Sequence, residues 1–148
     1  MLDPMEILDR EAIKRFLPHR EPMLLIDEAW VDEDGTGHAR YRIREDEFFT
    51  RGHFPGNPIV PGVILCEIMA QSGAITIRDE LAGKATFYRG IDDVKFKTPV
   101  RPGDVCEITT RQLGQKGFIY TYDGKLEVGG KLCARGTMTF ALIPQDQL

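Results

Sequence analysis

Apolar and polar residues alternate over most of the chain, and this pattern predicts many β-strands. Ala39, Tyr41 and Ile43 alternate with arginines, as expected of a strand with one buried face and one solvent-facing side. Gly129 and Gly130 form a two-residue spacer that predicts a tight hairpin. The predicted strands cover residues 23–31, 38–44, 85–91, 94–98, 105–113, 118–128 and 131–143.

Two stretches have helical patterns instead. Residues 9–17 predict a short helix, with apolar side chains on one face and Asp9 as the cap. Residues 61–81 are apolar on nearly every face, which predicts a long buried helix with Pro61 at its first position. A buried helix with antiparallel strands is an α+β pattern, and its simplest packing is a curved sheet wrapped around the helix.

Composition narrows the class of protein. The length of 148 residues predicts one domain over residues 1–148, and the net charge of −4 argues against a nucleic-acid-binding surface. Cys66, Cys106 and Cys133 are too widely spaced for a zinc motif, and their odd number fits a disulfide framework poorly. We therefore expect reduced thiols and a cytoplasmic protein.

The sequence predicts neither a signal peptide nor a membrane span. The N-terminal residues include several acidic side chains and no apolar core of the kind that signal peptides carry. The longest stretch with little charge, residues 54–77, is interrupted by prolines, glycines and polar side chains. We expect no membrane span.

The stretch GHFPGNPIVPGVILCEIMAQ, from Gly52 to Gln71, contains the candidate chemistry. Glu67 is its one acidic residue and lies within the predicted buried helix. An isolated carboxylate there would carry a large desolvation cost, whereas a neutral carboxylic acid would be a good proton donor. A structural glutamate bonded to backbone is the alternative.

His53 precedes a loop with three prolines between Pro55 and Pro61, which restrict the backbone. A rigid loop holds a side chain in one place, and a neutral imidazole is the natural base near pH 7. An ordinary hydrogen-bonded histidine is the alternative. His19 and His38 are interpreted as such ordinary histidines, although the LPHREP loop around His19 has a similarly rigid composition.

Gly62 lies at the predicted start of the helix, where a backbone N–H has no intrahelical acceptor. The helix dipole favours negative charge at this end, and a glycine permits close approach of a substrate carbonyl. A base, an acid and an oxyanion site together suit removal of a proton alpha to a carbonyl with loss of a β-hydroxyl.

This stretch resembles the signature of the (3R)-hydroxyacyl-[acyl-carrier-protein] dehydratases of type II fatty acid synthesis. LPHREPMLLID (Leu17 to Asp27) and GIDDVKFKTPVRPGD (Gly90 to Asp104) are similar to two further segments of that family. The resemblance implies a hot-dog fold and reversible dehydration of (3R)-hydroxyacyl thioesters to trans-2-enoyl thioesters. It also implies an acyl carrier protein as partner and no metal or redox cofactor.

The resemblance assigns roles to individual residues. His53 corresponds to the catalytic histidine, Glu67 to the catalytic acid, and Gly62 to the glycine whose N–H binds the thioester carbonyl. Gln71 corresponds to a glutamine beside the acid.

The resemblance also implies residues around the acyl-chain tunnel. Phe87 or Tyr88 occupies the position of the aromatic residue that gates the tunnel. The carrier protein is acidic in this family's systems, so a basic rim is expected. Its candidate residues are Arg89, Lys95, Lys97 and Arg101.

The family forms at least a dimer, commonly a trimer of dimers, in which each site combines the histidine of one subunit with the acid of the other.

Three alternatives to the plain dehydratase function stay open. Bifunctional dehydratase-isomerases usually have Asp in place of Glu67, although a few keep Glu. A hot-dog acyl thioesterase would activate water with a carboxylate, and a non-catalytic acyl-binding module would bind without turnover.

Overall fold

The computed structural model describes residues 6–148, beginning with a short helix, α1 (Arg10–Ile13). The Asp9 carboxylate accepts a hydrogen bond from the Ala12 N–H at 2.9 Å, so Asp9 caps this helix as predicted. The predicted extent to Leu17 was wrong, because the helix ends at Ile13 and residues 14–16 form turns.

Six antiparallel strands form one sheet in the order β1-β2-β4-β5-β6-β3. Their bounds are β1 (Glu28–Val31), β2 (Gly37–Arg42), β3 (Lys84–Phe96), β4 (Val105–Lys116), β5 (Ile119–Val128) and β6 (Lys131–Pro144). The connection from β2 to β3 contains helix α2 (Gly62–Ala74) and a 3₁₀ segment (Ile75–Glu80), and a 3₁₀ turn (Gln145–Gln147) follows β6.

Helix α2 packs across one face of this sheet and contacts β2, β3, β4, β5 and β6. Ile68 and Met69 are fully buried in this interface, and burial of such a side chain contributes roughly 1.5–3 kcal/mol. The sheet approaches the helix so closely that a Cβ on Gly124 would lie 3.2 Å from Met69. The structure therefore has the predicted α+β architecture, with an antiparallel sheet packed around one central helix.

The central helix differs from its prediction at both ends. Pro61 occupies the N-cap position, and the α-helix ends at Ala74. Thr76 Oγ1 donates to the Gly73 carbonyl at 2.7 Å, and β-branched residues here disfavour further α-helix. The first turn is open to solvent, with Val63 72 % exposed, so burial on every face is confirmed only for the later turns.

Strand β3 is one long strand where two were predicted. Its pairing with β6 continues through two register shifts, and Asp93 at the second has a φ of +50°. Because β3 is last in the sheet order, its outer edge pairs with no described strand of this chain. Phe87, Ile91 and Phe96 are exposed along it.

The predicted strand at residues 23–31 is shorter than expected, since pairing begins only at Glu28. Leu24 and Ile26 are buried outside the sheet. The Leu25 N–H donates to the Gln71 side chain at 2.9 Å, so this segment is bonded to helix α2 instead of to a strand.

The turns near the C-terminus follow the glycines. Gly129 and Gly130 have φ values of +57° and +80°, which confirms the predicted tight hairpin. Strand β4 extends to Lys116, three residues beyond its prediction, and the chain reverses at Gly117 with a φ of +62°. Among residues 6–148, no helix has the length and apolar character needed to cross a membrane.

Candidate active site

His53 lies in the loop between β2 and α2, where backbone contacts fix its ring. Its Nδ1 is 3.0 Å from the Ile59 carbonyl, and the Ile59 N–H donates to the His53 carbonyl at 2.7 Å. Because a carbonyl only accepts, Nδ1 carries the proton and Nε2 keeps a free lone pair. The His53 ring also stacks on Phe54 with 4.2 Å between centroids. The imidazole is therefore held in the tautomer that can act as a base.

A groove of about 500 Å³ joins His53 to the start of helix α2. Gly62 is part of its wall, and a Cβ there would lie 2.8 Å from Cζ of Phe96. The helix start at Gly62 provides backbone N–H groups that have no intrahelical acceptor. The remaining lining is mostly apolar: Ile59, Val60, Val63, Leu65, Phe96, Lys97, Thr98, Pro99 and Val100. A base and a potential oxyanion donor thus share one groove.

Glu67 lies farther along α2, and its side chain is 19 % exposed. Its Oε2 accepts a hydrogen bond from Gln71 Nε2 at 2.9 Å and lies 3.4 Å from His19 Nε2. The Gln71 amide also donates to the Met23 carbonyl at 2.7 Å and accepts from the Leu25 N–H. Gln71 is buried.

Tyr88 and Phe87 lie on opposite faces of β3. The Tyr88 hydroxyl donates to the Cys66 carbonyl at 2.7 Å, whereas Phe87 is exposed. Burial, followed by the nearby Glu67 charge, raises the pKa of Tyr88 above its ordinary value. Tyr88 therefore stays a neutral donor against the helix beside Glu67, and which of Phe87 and Tyr88 gates the tunnel stays a prediction.

The four candidate rim residues are exposed but differ in position. Lys97 lines the groove, and Arg101 donates to Asn57 Oδ1 at 2.7 Å, close in sequence to His53. Lys95 forms an ion pair with Asp93 at 2.9 Å. Arg89 lies on β3 outside the groove lining.

One chain does not bring the two candidate catalytic side chains into one pocket. The groove that contains His53 and Gly62 does not include Glu67 among its lining residues. Glu67 contacts Gln71 and His19 instead. In the part of the chain that is described, no group of three or more His, Cys, Asp or Glu side chains could hold a metal ion.

The sequence interpretation of His19 was wrong. Its Nε2 faces Glu67, and its Nδ1 is buried with no hydrogen-bond partner among the described residues. The rigid composition of its loop was the one signal in the sequence, since the contact joins positions that are far apart in the chain. His38 fits its interpretation, because it contacts Asp32 at 2.6 Å and stacks on Trp30.

Residues 17–137 match the FabA-like domain family. The chain belongs to this family. The 3-hydroxyacyl-[acyl-carrier-protein] dehydratase FabZ of Streptococcus gordonii is 41 % identical over 138 residues, which cover 92 % of this chain and 99 % of that protein. FabZ of Streptococcus equi subsp. zooepidemicus is 42 % identical over 137 residues, 91 % of this chain and 98 % of that protein. The predicted membership of a dehydratase family is confirmed.

Solved structures of low sequence identity have the same fold. The dehydratase heterocomplex ApeI:P from Xenorhabdus doucetiae superposes with a TM-score of 0.77 at 20 % identity, covering 90 % of this chain and 92 % of that one. The fluoroacetyl-CoA thioesterase FlK gives a TM-score of 0.65 at 13 % identity, covering 76 % and 87 %. At such identities the similarity concerns the fold alone, and the predicted hot-dog fold is confirmed.

Proposed function

We propose that this protein catalyses the reversible dehydration of (3R)-hydroxyacyl-[acyl-carrier-protein] thioesters to trans-2-enoyl thioesters in fatty acid biosynthesis. The observation that carries the proposal is the groove in which the free lone pair of His53 and the N–H groups at Gly62 lie together. Near-full-length similarity to FabZ proteins supports this choice of substrate class.

In the first step, His53 Nε2 removes the proton alpha to the thioester carbonyl. The electron pair moves toward the carbonyl oxygen, where the Gly62 N–H and the positive end of the α2 dipole stabilise the negative charge. The Ile59 carbonyl stabilises the imidazolium that forms, because it accepts from Nδ1. A general base of this kind typically contributes ~100- to 10,000-fold to the rate.

In the second step, the enolate collapses to the α,β double bond and the bond from the β-carbon to the hydroxyl oxygen breaks. Protonated Glu67 donates its proton to the departing hydroxyl, directly or through a water, so that water leaves. In the reverse direction the ionised carboxylate recovers a proton from water. Protonated Glu67 thus serves dehydration, and ionised Glu67 serves the reverse addition of water.

The acid and base come together when two copies of the chain associate, with His53 of one subunit facing Glu67 of the other. The long free edge of β3 supports this proposal, because it exposes backbone groups together with Phe87 and Ile91. The exposed first turn of α2 supports it as well. We expect at least a dimer, which in this family commonly assembles further into a trimer of dimers.

The carrier protein is the proposed donor of the substrate, with Lys97 and Arg101 as the best placed rim cations. The three cysteines are free and buried, which is consistent with the proposed cytoplasmic location. One domain over residues 1–148 stays a prediction.

The test is turnover of a (3R)-hydroxyacyl-carrier-protein thioester, with products identified by mass. We expect loss of water in the parent protein and a rate lower by ~100- to 10,000-fold in His53→Ala and in Glu67→Gln. His38→Ala is the matched control for His53→Ala. Free acid released by a still active His53→Ala would indicate a thioesterase, and a cis-3-enoyl product would add isomerase activity. Intact substrate with the parent protein would contradict the proposal.

A further inference from the structure

Gln71 fixes the orientation of the Glu67 carboxyl group. Its Oε1 accepts from the Leu25 N–H, so its amide nitrogen must face the other two partners. One amide hydrogen serves the Met23 carbonyl and the other serves Glu67 Oε2. Each hydrogen of this buried amide thus has an acceptor, and Oε2 of Glu67 is held as an acceptor.

His19 approaches the same oxygen from a loop that is held in place by its neighbour. The Arg20 guanidinium donates to the carbonyls of Leu17 and His19 at 2.8 and 2.7 Å. His19 Nε2 then lies 3.4 Å from Glu67 Oε2. This separation is longer than an ordinary hydrogen bond, and such contacts in unliganded sites commonly shorten when charge develops.

The buried surroundings of His19 select one tautomer. Its Nδ1 has no hydrogen-bond partner among the described residues, so a proton there would be a buried donor without an acceptor. An imidazolium would also carry that unpaired donor. The neutral form with the proton on Nε2 avoids it and places an N–H on the ring nitrogen that lies 3.4 Å from the Glu67 carboxyl group.

We infer that His19 is a positioning residue for the acid: with Gln71 it holds Oε2 of Glu67 as an acceptor, so that the donated proton resides on Oε1. This inference rests on the dehydration proposed above. When Glu67 gives up its proton, the carboxylate gains charge, and the His19 N–H stabilises that charge. Cys66 and Tyr88 also lie near Glu67, but the Tyr88 hydroxyl donates to the Cys66 carbonyl and not to the carboxylate.

Two substitutions at His19 distinguish a role as hydrogen-bond donor from a role as a space-filling side chain. His19→Gln keeps an N–H that can reach the former position of Nε2, whereas His19→Phe keeps the ring shape without a donor. We expect kcat of His19→Phe to fall about tenfold with KM within about twofold, the effect of one lost hydrogen bond to a charged group. His19→Gln should retain most of the parent kcat, and His38→Phe is the control for the same substitution elsewhere.

A double-substitution cycle tests whether His19 acts through Glu67. In the Glu67→Gln background, His19→Phe should cause no further loss of residual activity. Equal losses in the Phe and Gln variants, a change in KM alone, or fully additive losses with Glu67→Gln would each contradict the inference, because a structural role would produce them.

Histidine side-chain ¹H–¹⁵N spectra provide a measurement that does not depend on turnover. The chain has three histidines, and the signal missing from His19→Phe assigns His19. For the neutral imidazole we expect the Nε2–H tautomer and a shift of that signal, but not of the His38 signal, in Glu67→Gln. The Nδ1–H tautomer of His19 would overturn the inference even if the enzyme is active. A parent protein without turnover would contradict the proposed function. The spectra alone would then test whether His19 Nε2 donates to Glu67.

Discussion

The groove around His53 and the helix face around Glu67 are built in different ways. Neighbours in sequence hold His53, since its ring contacts Ile59 and Phe54 in the same loop. Distant segments hold Glu67, because Gln71 is bonded to residues Met23 and Leu25, which lie more than 40 positions away. The candidate base therefore depends on local loop geometry, whereas the candidate acid depends on tertiary packing.

This difference predicts distinct responses to substitution. Damage to the supports of Glu67 should reduce both the stability of the fold and activity. Damage to the groove should affect activity more than stability.

The largest expected loss of stability follows from Gln71→Leu. Leucine would leave the buried Leu25 N–H without a partner and would remove the donor to the Met23 carbonyl, at a cost of about 2–4 kcal/mol in the free energy of unfolding. Urea unfolding at fixed protein concentration measures this. Gln147→Leu is the matched control, since Gln147 is exposed. Equal free energies of unfolding for Gln71→Leu and Gln147→Leu would contradict the claim that tertiary packing supports Glu67.

Gly62→Ala should have an intermediate effect, centred on the groove. The new Cβ would lie 2.8 Å from Cζ of Phe96, and Phe96 is exposed, so its side chain must turn away at a cost of about 1 kcal/mol. Turnover should fall because the new Cβ displaces the backbone N–H groups at the helix start. Adding Phe96→Ala to the same chain should restore stability.

The control for that experiment is Gly52→Ala, because a Cβ on Gly52 would have no atom within 4 Å. Parent-like kinetics and stability in Gly62→Ala would contradict the close approach at the groove.

The smallest expected effect is that of Tyr88→Phe, which removes the hydrogen bond to the Cys66 carbonyl and should cost about 1 kcal/mol at pH 8. Because burial raises the pKa of Tyr88, its stabilising contribution is present below the unfolded value near pH 10 and is lost as the pH rises above it.

The parent should therefore lose its greater free energy of unfolding relative to Tyr88→Phe as the pH rises above about 10. Urea unfolding at a series of pH values measures this difference. Tyr120→Phe is the comparison, since among the described residues the Tyr120 hydroxyl accepts only from Gln115. A difference between parent and Tyr88→Phe that stays constant with pH would exclude Tyr88 as the titrating group.

Local sequence patterns predicted much of the groove. Three prolines, His53 and Gly62 fall within one short stretch, and the structure places His53 and Gly62 in one groove. The hairpin at Gly129 and Gly130 was also predictable, since both need positive φ.

Contacts between distant residues were not predictable from these patterns. The approach of His19 to Glu67 joins a loop to a helix, and no periodicity records it. Strand β3 was divided in the prediction between Ile91 and Val94, whereas a bulge lets pairing with β6 continue. The free edge of β3 follows from the strand order, which single-strand patterns do not contain.

The central claim is that His53 of one copy acts with Glu67 of another. The direct test mixes His53→Ala with Glu67→Gln after dissociation and reassociation of the subunits, and then measures dehydration of the hydroxyacyl thioester. Each variant alone should be nearly inactive. The account predicts that the mixture recovers activity, because mixed dimers contain one site with both side chains intact. A mixture that exchanges subunits but stays as inactive as its components would contradict the account.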